Sequence, residues 1–70
     1  MRPEEVKLGS AYVNIKHNVR EYVTALCKLR KDDGSWVDGV VYKGNDRHTG
    51  EPMHFACTLE SFCERFEKGE

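Results

Sequence analysis

The stretch Val19-Arg20-Glu21-Tyr22-Val23-Thr24-Ala25-Leu26-Cys27-Lys28-Leu29-Arg30-Lys31, followed by Asp32-Asp33-Gly34-Ser35, decides the fold of this chain. Two periods fit it. As a helix, Asn18 caps, Glu21 stands in capping-box position, and Val19, Tyr22, Val23, Leu26 and Leu29 make one apolar stripe. As a strand, Val23, Ala25, Cys27 and Leu29 face one way and Tyr22, Thr24, Lys28 and Arg30 the other. Asp33-Gly34 arbitrates, because Asp-Gly is a preferred pair for a two-residue hairpin loop that needs positive φ. Turning there sets Asp32 opposite Ser35, Arg30 opposite Val37, Leu29 opposite Asp38, Lys28 opposite Gly39, Cys27 opposite Val40 and Ala25 opposite Tyr42. The dry face then collects Val23, Ala25, Cys27, Leu29, Val40 and Tyr42, with Trp36 at its margin. The wet face collects Thr24, Lys28, Arg30, Gly39 and Lys43, while Leu26, Val41 and Asp38 break the pattern. The hairpin is the expected form.

Upstream, Arg2-Pro3-Glu4-Glu5 reads as a polar segment that frays, residues 1–5 in all, and Gly9-Ser10 marks a turn. Ala11 to Lys16 alternates with period two, Ala11, Val13 and Ile15 on one face and Tyr12, Asn14 and Lys16 on the other. His17-Asn18 then reverses the chain. Downstream, Gly44 to Pro52 is dense in turn formers and reads as a mobile loop. Met53 to Cys57 resumes as a short strand with Met53, Phe55 and Cys57 inward. Thr58 can cap a helix over Leu59 to Glu67, where Leu59, Phe62, Cys63 and Phe66 form one stripe, Glu64 stands four residues before Lys68, and Gly69 stops the run. A helix this short does not hold in water alone, so it must pack on the sheet.

A chain of 70 residues makes one domain, and at this size folding buries only about 60% of the surface exposed by the unfolded chain. Cys27, Cys57 and Cys63 are odd in number and read as reduced core thiols rather than a disulfide framework. No signal peptide and no membrane span are visible, so a cytoplasmic location without membrane contact is the expectation. Eleven basic against twelve acidic residues leave a formal net charge of −1, which lacks the basic excess of a typical nucleic-acid module.

Tyr12-Val13-Asn14-Ile15-Lys16, Tyr22-Val23-Thr24-Ala25-Leu26, Gly39-Val40-Val41-Tyr42-Lys43, and then Leu59-Glu60-Ser61-Phe62 with Arg65-Phe66-Glu67 follow a familiar order. The chain resembles a family of short bacterial and phage proteins, a domain of unknown function. That family has the pattern Tyr-x-(Asn/His)-x-Lys, Tyr-x-Val, Val-Val-Tyr-(Arg/Lys) and a closing Phe before Phe-Glu. The resemblance covers residues 10 to 67 and implies a small antiparallel SH3-like barrel of four to five strands with a C-terminal helix. Met53-His54-Phe55-Ala56-Cys57-Thr58 departs from it, standing where the family has an aromatic-Val-Arg-Pro segment. The family has no established activity to carry over.

The candidate chemistry is sparse. His17, His48 and His54 accompany the three cysteines, but no Cys-x-x-Cys or His-x₃-His pair gives the close spacing of a structural zinc site, and neither a metal nor a cofactor is expected. Cys57, near a helix N-terminus, is the one thiol placed for activation, with His54 or His48 as base, yet no nucleophile elbow or phosphate loop accompanies it. The chain therefore reads as a non-enzyme. For nucleic acid, Lys28, Arg30 and Lys43, with Lys16 and Tyr12 nearby, offer a modest basic face. For a protein partner, Tyr12, Tyr22, Trp36 and Tyr42 are candidate aromatic anchors, with Trp36 expected exposed opposite Lys31. The leading expectation is a non-catalytic bacterial or phage accessory module that binds another protein through Tyr12, Lys28, Arg30, Trp36 and Lys43. The runner-up is a weak nucleic-acid-binding barrel, and the chain is either a monomer or a homodimer.

Overall fold

The computed structural model describes residues 1–69. A 3-10 turn, Pro3–Glu5, leads to strands β1 (Ala11–Asn14), β2 (Val19–Arg30), β3 (Trp36–Asn45) and β4 (Pro52–Thr58), then to helix α1 (Leu59–Arg65) and strand β5 (Phe66–Lys68). The five strands form one antiparallel sheet in the order β4-β3-β2-β1-β5. This is a small β-rich domain. Strands β4 and β5 stand at opposite margins without pairing to each other, so the sheet stays open where a barrel would close.

Val19 to Arg30 is extended throughout, and the chain folds back beside Gly34, whose φ of 89° suits a residue without a Cβ. The loop is one residue longer than the Asp-Gly pair alone predicts. Gly34 N–H donates to the Lys31 carbonyl at 2.9 Å and Lys31 N–H to the Ser35 carbonyl at 2.8 Å, the form of a type I turn followed by a left-handed glycine. Asp33 fastens it by accepting from the backbone N–H and hydroxyl of Ser35. The pairing near the turn is accordingly Arg30 with Trp36, Leu29 with Val37, Lys28 with Asp38 and Cys27 with Gly39. Trp36 thus lies opposite Arg30, not Lys31.

A bulge between Val23 and Ala25 makes the larger correction. Val23 pairs with Tyr42 but Ala25 with Val41, so Thr24 is the extra residue, and its hydroxyl donates to the Val41 carbonyl at 3.3 Å. Beyond a bulge the alternation of faces shifts by one residue. Val23, Val40 and Tyr42 face the core as expected, but Ala25, Cys27 and Leu29 turn to the other face. The proof is at Gly39, where a Cβ would meet Leu29 Cγ at 2.7 Å and Cys27 Sγ at 2.9 Å. Leu26 then falls on the core side, past the helix, and remains 56% exposed.

In β1 the buried face is the reverse of the one apolar alternation suggests: Tyr12 and Asn14 are buried, while Ala11 and Val13 are half-buried and Ile15 exposed. Both polar tips are satisfied, which makes this burial affordable. The Tyr12 hydroxyl donates to the Glu5 carbonyl at 2.7 Å and accepts from Lys7 N–H at 2.7 Å. Asn14 Oδ1 accepts from Lys16 and His17 N–H, each at 3.1 Å, and so holds the β1–β2 turn, in which Asn18 takes φ 54°.

The core comprises Val6, Tyr12, Val23, Val40, Tyr42, Phe62 and Phe66, flanked by Met1, Phe55, Cys57, Leu59 and Cys63. Thr58 caps α1 by accepting from Ser61 N–H at 3.1 Å. Phe62 and Phe66 stack at 4.2 Å, with Tyr12 edge-on to Phe62 at 5.4 Å and Tyr42 edge-on to Phe66 at 5.1 Å. Each buried phenylalanine contributes about 1.5–3 kcal/mol. The helix ends at Arg65 rather than Glu67, because Phe66 to Lys68 pairs with β1. In that strand Lys68 meets Glu5 Oε2 at 2.9 Å, which corrects the expected helical pairing with Glu64. Residues 1–5 form a hydrogen-bonded turn instead of fraying, tied to α1 by the Met1 amine donating to the Cys63 carbonyl at 3.3 Å.

Candidate functional site

The residues singled out for binding do not form one surface. Tyr12 is 2% exposed with its hydroxyl engaged, which removes it as an anchor. Lys28 is joined to Asp38 on the paired strand, so its charge is partly answered within the chain. Arg30 lies over the Trp36 ring at 6.0 Å, and Trp36 is 61% exposed. Lys28, Arg30, Asp38 and Trp36 share one face of the hairpin by register, while Lys43, paired with Tyr22 and His54, lies on the other. The bulge is what divides them: without it the cations would line up. Tyr42 is buried, whereas Tyr22 is half exposed.

The two margins of the sheet differ in a way that bears on binding. Strand β5 has three residues, two of them Glu67 and Lys68, the short charged form by which proteins discourage a further strand. Strand β4 has seven, Pro52-Met53-His54-Phe55-Ala56-Cys57-Thr58, with no Asp, Glu, Lys or Arg among them. Its pairing with β3 runs unbroken from Gly39–Thr58 to Asn45–Pro52, with no bulge to twist the outer side away. Proline stands only at the first position, where the strand begins. Among the described residues no strand pairs with the outer side of β4. Pro52, Met53, His54 and Ala56 are exposed, and Met53, Phe55 and Cys57 alternate on the core side with His54 and Ala56 opposite.

The β3–β4 loop that presents this strand is ordered by its own side chains. Asp46 N–H donates to the Glu51 carbonyl at 2.8 Å and Gly50 N–H to the Asp46 carbonyl at 2.7 Å. Asp46 Oδ1 also accepts from the His48 and Thr49 N–H groups, an Asx turn that the sequence shows only as turn-former density.

A polar cleft missed in the sequence opens beside this loop, lined among others by Asn14, His17, Glu21, Tyr42, Arg47 and Arg65. The Glu21 carboxylate lies against the backbone of Gly44, whose absent Cβ would stand 3.0 Å from Glu21 Cδ. Its Oε2 is buried without a hydrogen-bond partner. Burial pushes the carboxyl above its ordinary pKa, and the nearby Arg65 and Arg47 cations only partly oppose this. Arg65 donates to the Tyr42 hydroxyl at a long 3.5 Å. An Arg47 nitrogen stands 2.8 Å from His17 Nε2. The same nitrogen stands 3.1 Å from Nδ1, and desolvation, then Arg47 and Lys16, push the imidazole below its ordinary pKa, which favours the neutral ring beside the Arg47 cation.

Burial likewise pushes the Cys57 thiol up, with Arg65 in partial opposition, and the same is true of Cys63. Both thiols are therefore protonated near neutrality and poorly nucleophilic. Among the described residues no group of three or more His, Cys, Asp or Glu side chains is placed to hold a metal ion. Comparison of the chain with protein-family models, with curated proteins and with solved structures finds no match in any of the three. No helix is long and apolar enough to cross a membrane among the described residues.

Proposed function

We propose that this chain is a small non-catalytic accessory module, of the bacterial or phage kind its sequence resembles, which binds another protein by accepting an extended segment along β4. One observation carries the reading: β4 is a seven-residue margin free of charge and bulge, while the opposite margin is short and charged. An unpaired strand exposes a row of N–H and C=O groups at fixed spacing, and an incoming strand satisfies them with main-chain bonds. Specificity then falls to side chains of alternate direction, Met53 and Phe55 on one side and His54 and Ala56 on the other. An SH3-like barrel opened between β4 and β5 would supply such a margin, in keeping with the strand order.

The hairpin tip, with Arg30 over Trp36, is the competing anchor and serves as the control. Peptides selected from a displayed random library are added to isotope-labelled protein, and backbone amide shifts are mapped. The expected result is displacement along Pro52–Thr58, loss of binding in Ala56→Lys, and unchanged binding in Trp36→Ala. Displacements confined to residues 30–36, or abolished by Trp36→Ala, overturn the reading.

A further inference from the structure

We infer that the β4 margin also takes a second copy of this chain, two β4 strands pairing antiparallel about Phe55 to join two sheets into one. This rests on the reading of β4 as a strand acceptor and names one occupant of that site. The occupant follows from self-complementarity. A two-fold axis through Phe55 sets Phe55 opposite its own copy, Met53 opposite Cys57 of the partner subunit, and His54 opposite Ala56 of the partner subunit. Large side chains thus meet smaller ones in the flanking pairs, and the core-side stripe of Met53, Phe55 and Cys57 continues across the junction. A strand bearing charge would set like against like in some register, but this one has no Asp, Glu, Lys or Arg to repel its copy. The closed symmetry stops growth at two, because the other margin, β5, carries Glu67 and Lys68 and is only three residues long.

One pair of seven-residue strands buries far less than the roughly 1,200–2,000 Å² of a stable interface, so the dimer is weak and exchanges readily with a partner's strand.

The test is sedimentation velocity under reducing conditions from about 1 µM to about 1 mM, the range over which weak complexes form, with amide hydrogen exchange at both ends. The expected result is a mass rising from 8.1 kDa toward twice that value, with new protection on alternate amides of β4, those not already bonded to β3. Ala56→Lys and His54→Lys, both at exposed positions of the face away from the core, should each hold the chain monomeric with an unchanged far-ultraviolet spectrum. A mass constant across the range, while selected peptides still bind β4, overturns self-pairing and leaves the acceptor reading standing. Absence of both overturns both. Association with new protection outside β4, or association that survives both lysine variants, overturns self-pairing through this margin.

Discussion

Replacing Gly39 by alanine probes the bulge more directly than any other single change. The new methyl carbon would stand 2.7 and 2.8 Å from Leu29 Cγ and Cδ1 and 2.9 Å from Cys27 Sγ. Leu29 Cγ is a branch point rather than a free end, so relief requires the whole isobutyl group to shift against its half-buried neighbours. Overpacking of this kind costs about 1–3 kcal/mol. Restricting the unfolded chain offsets about 0.4–1 kcal/mol, which leaves a net loss of about 0–2.6 kcal/mol, or about 1.3 kcal/mol at the centre of both ranges. For a domain of this size the central value lowers Tm by roughly 5–10 °C. Thermal unfolding followed by circular dichroism measures it, and the cycle Gly39→Ala, Leu29→Ala and the pair assigns the cause. Coupling of about 0.5–3 kcal/mol is expected, the double variant losing less than the sum. Strictly additive changes across the cycle would refute the placement of Cys27 and Leu29 over Gly39, and with it the face reversal at Thr24.

Two further expectations concern single side chains. Glu21 has its carboxyl pKa raised on folding, so the folded state holds its proton more tightly. Its contribution is greatest below the unfolded value of 4.5 and is lost as pH rises through the higher folded value. Glu21→Gln should therefore unfold at higher denaturant than the parent at pH 7 and flatten the pH dependence above 4.5; equal midpoints at pH 7 would show the carboxylate to be well solvated. Trp36, the only tryptophan and 61% exposed, should emit at the wavelength of a solvated indole. Trp36→Ala should cost at most about 0.5–1 kcal/mol, the worth of an exposed cation–π contact with Arg30; a blue-shifted emission would contradict both statements.

The sequence carried the segmentation of this fold well and its facing poorly, for identifiable reasons. Asp-Gly announced the reversal after β2, Thr58 announced the start of α1, and Phe62 and Phe66 announced which side of the last segment is dry. All three are local signals, written within a few residues. The face of β1 was not legible, because Tyr12 and Asn14 are buried by virtue of partners, the Glu5 carbonyl and the turn amides, that lie outside any alternation rule. Leu26, Val41 and Asp38, which broke the expected two-face pattern, were the visible trace of the bulge. Reading them as exceptions instead of a phase shift cost the assignment of Cys27 and Leu29. Of the proposed binding residues, Trp36 was placed rightly as exposed, while Tyr12 failed because a strand tyrosine and an anchor tyrosine look alike in sequence. The acceptor margin needed strand order, which no local pattern encodes: Met53 to Thr58 shows its lack of charge at once, but only the topology shows that it stands at an end.

The bridge between Glu5 and Lys68, 2.9 Å long, and the bond from Gly69 N–H to the Ala11 carbonyl, 3.1 Å, bring the first and last turns of the described chain side by side. A tag fused beyond β5 therefore emerges beside β1, across the sheet from β4, whereas the Met1 amine lies 3.3 Å from the Cys63 carbonyl of α1. New ends opened within the Asp46–Glu51 loop, with the present ones joined by a link long enough to run from α1 to the start of β1, would keep every strand pair while moving the point of attachment next to the acceptor strand.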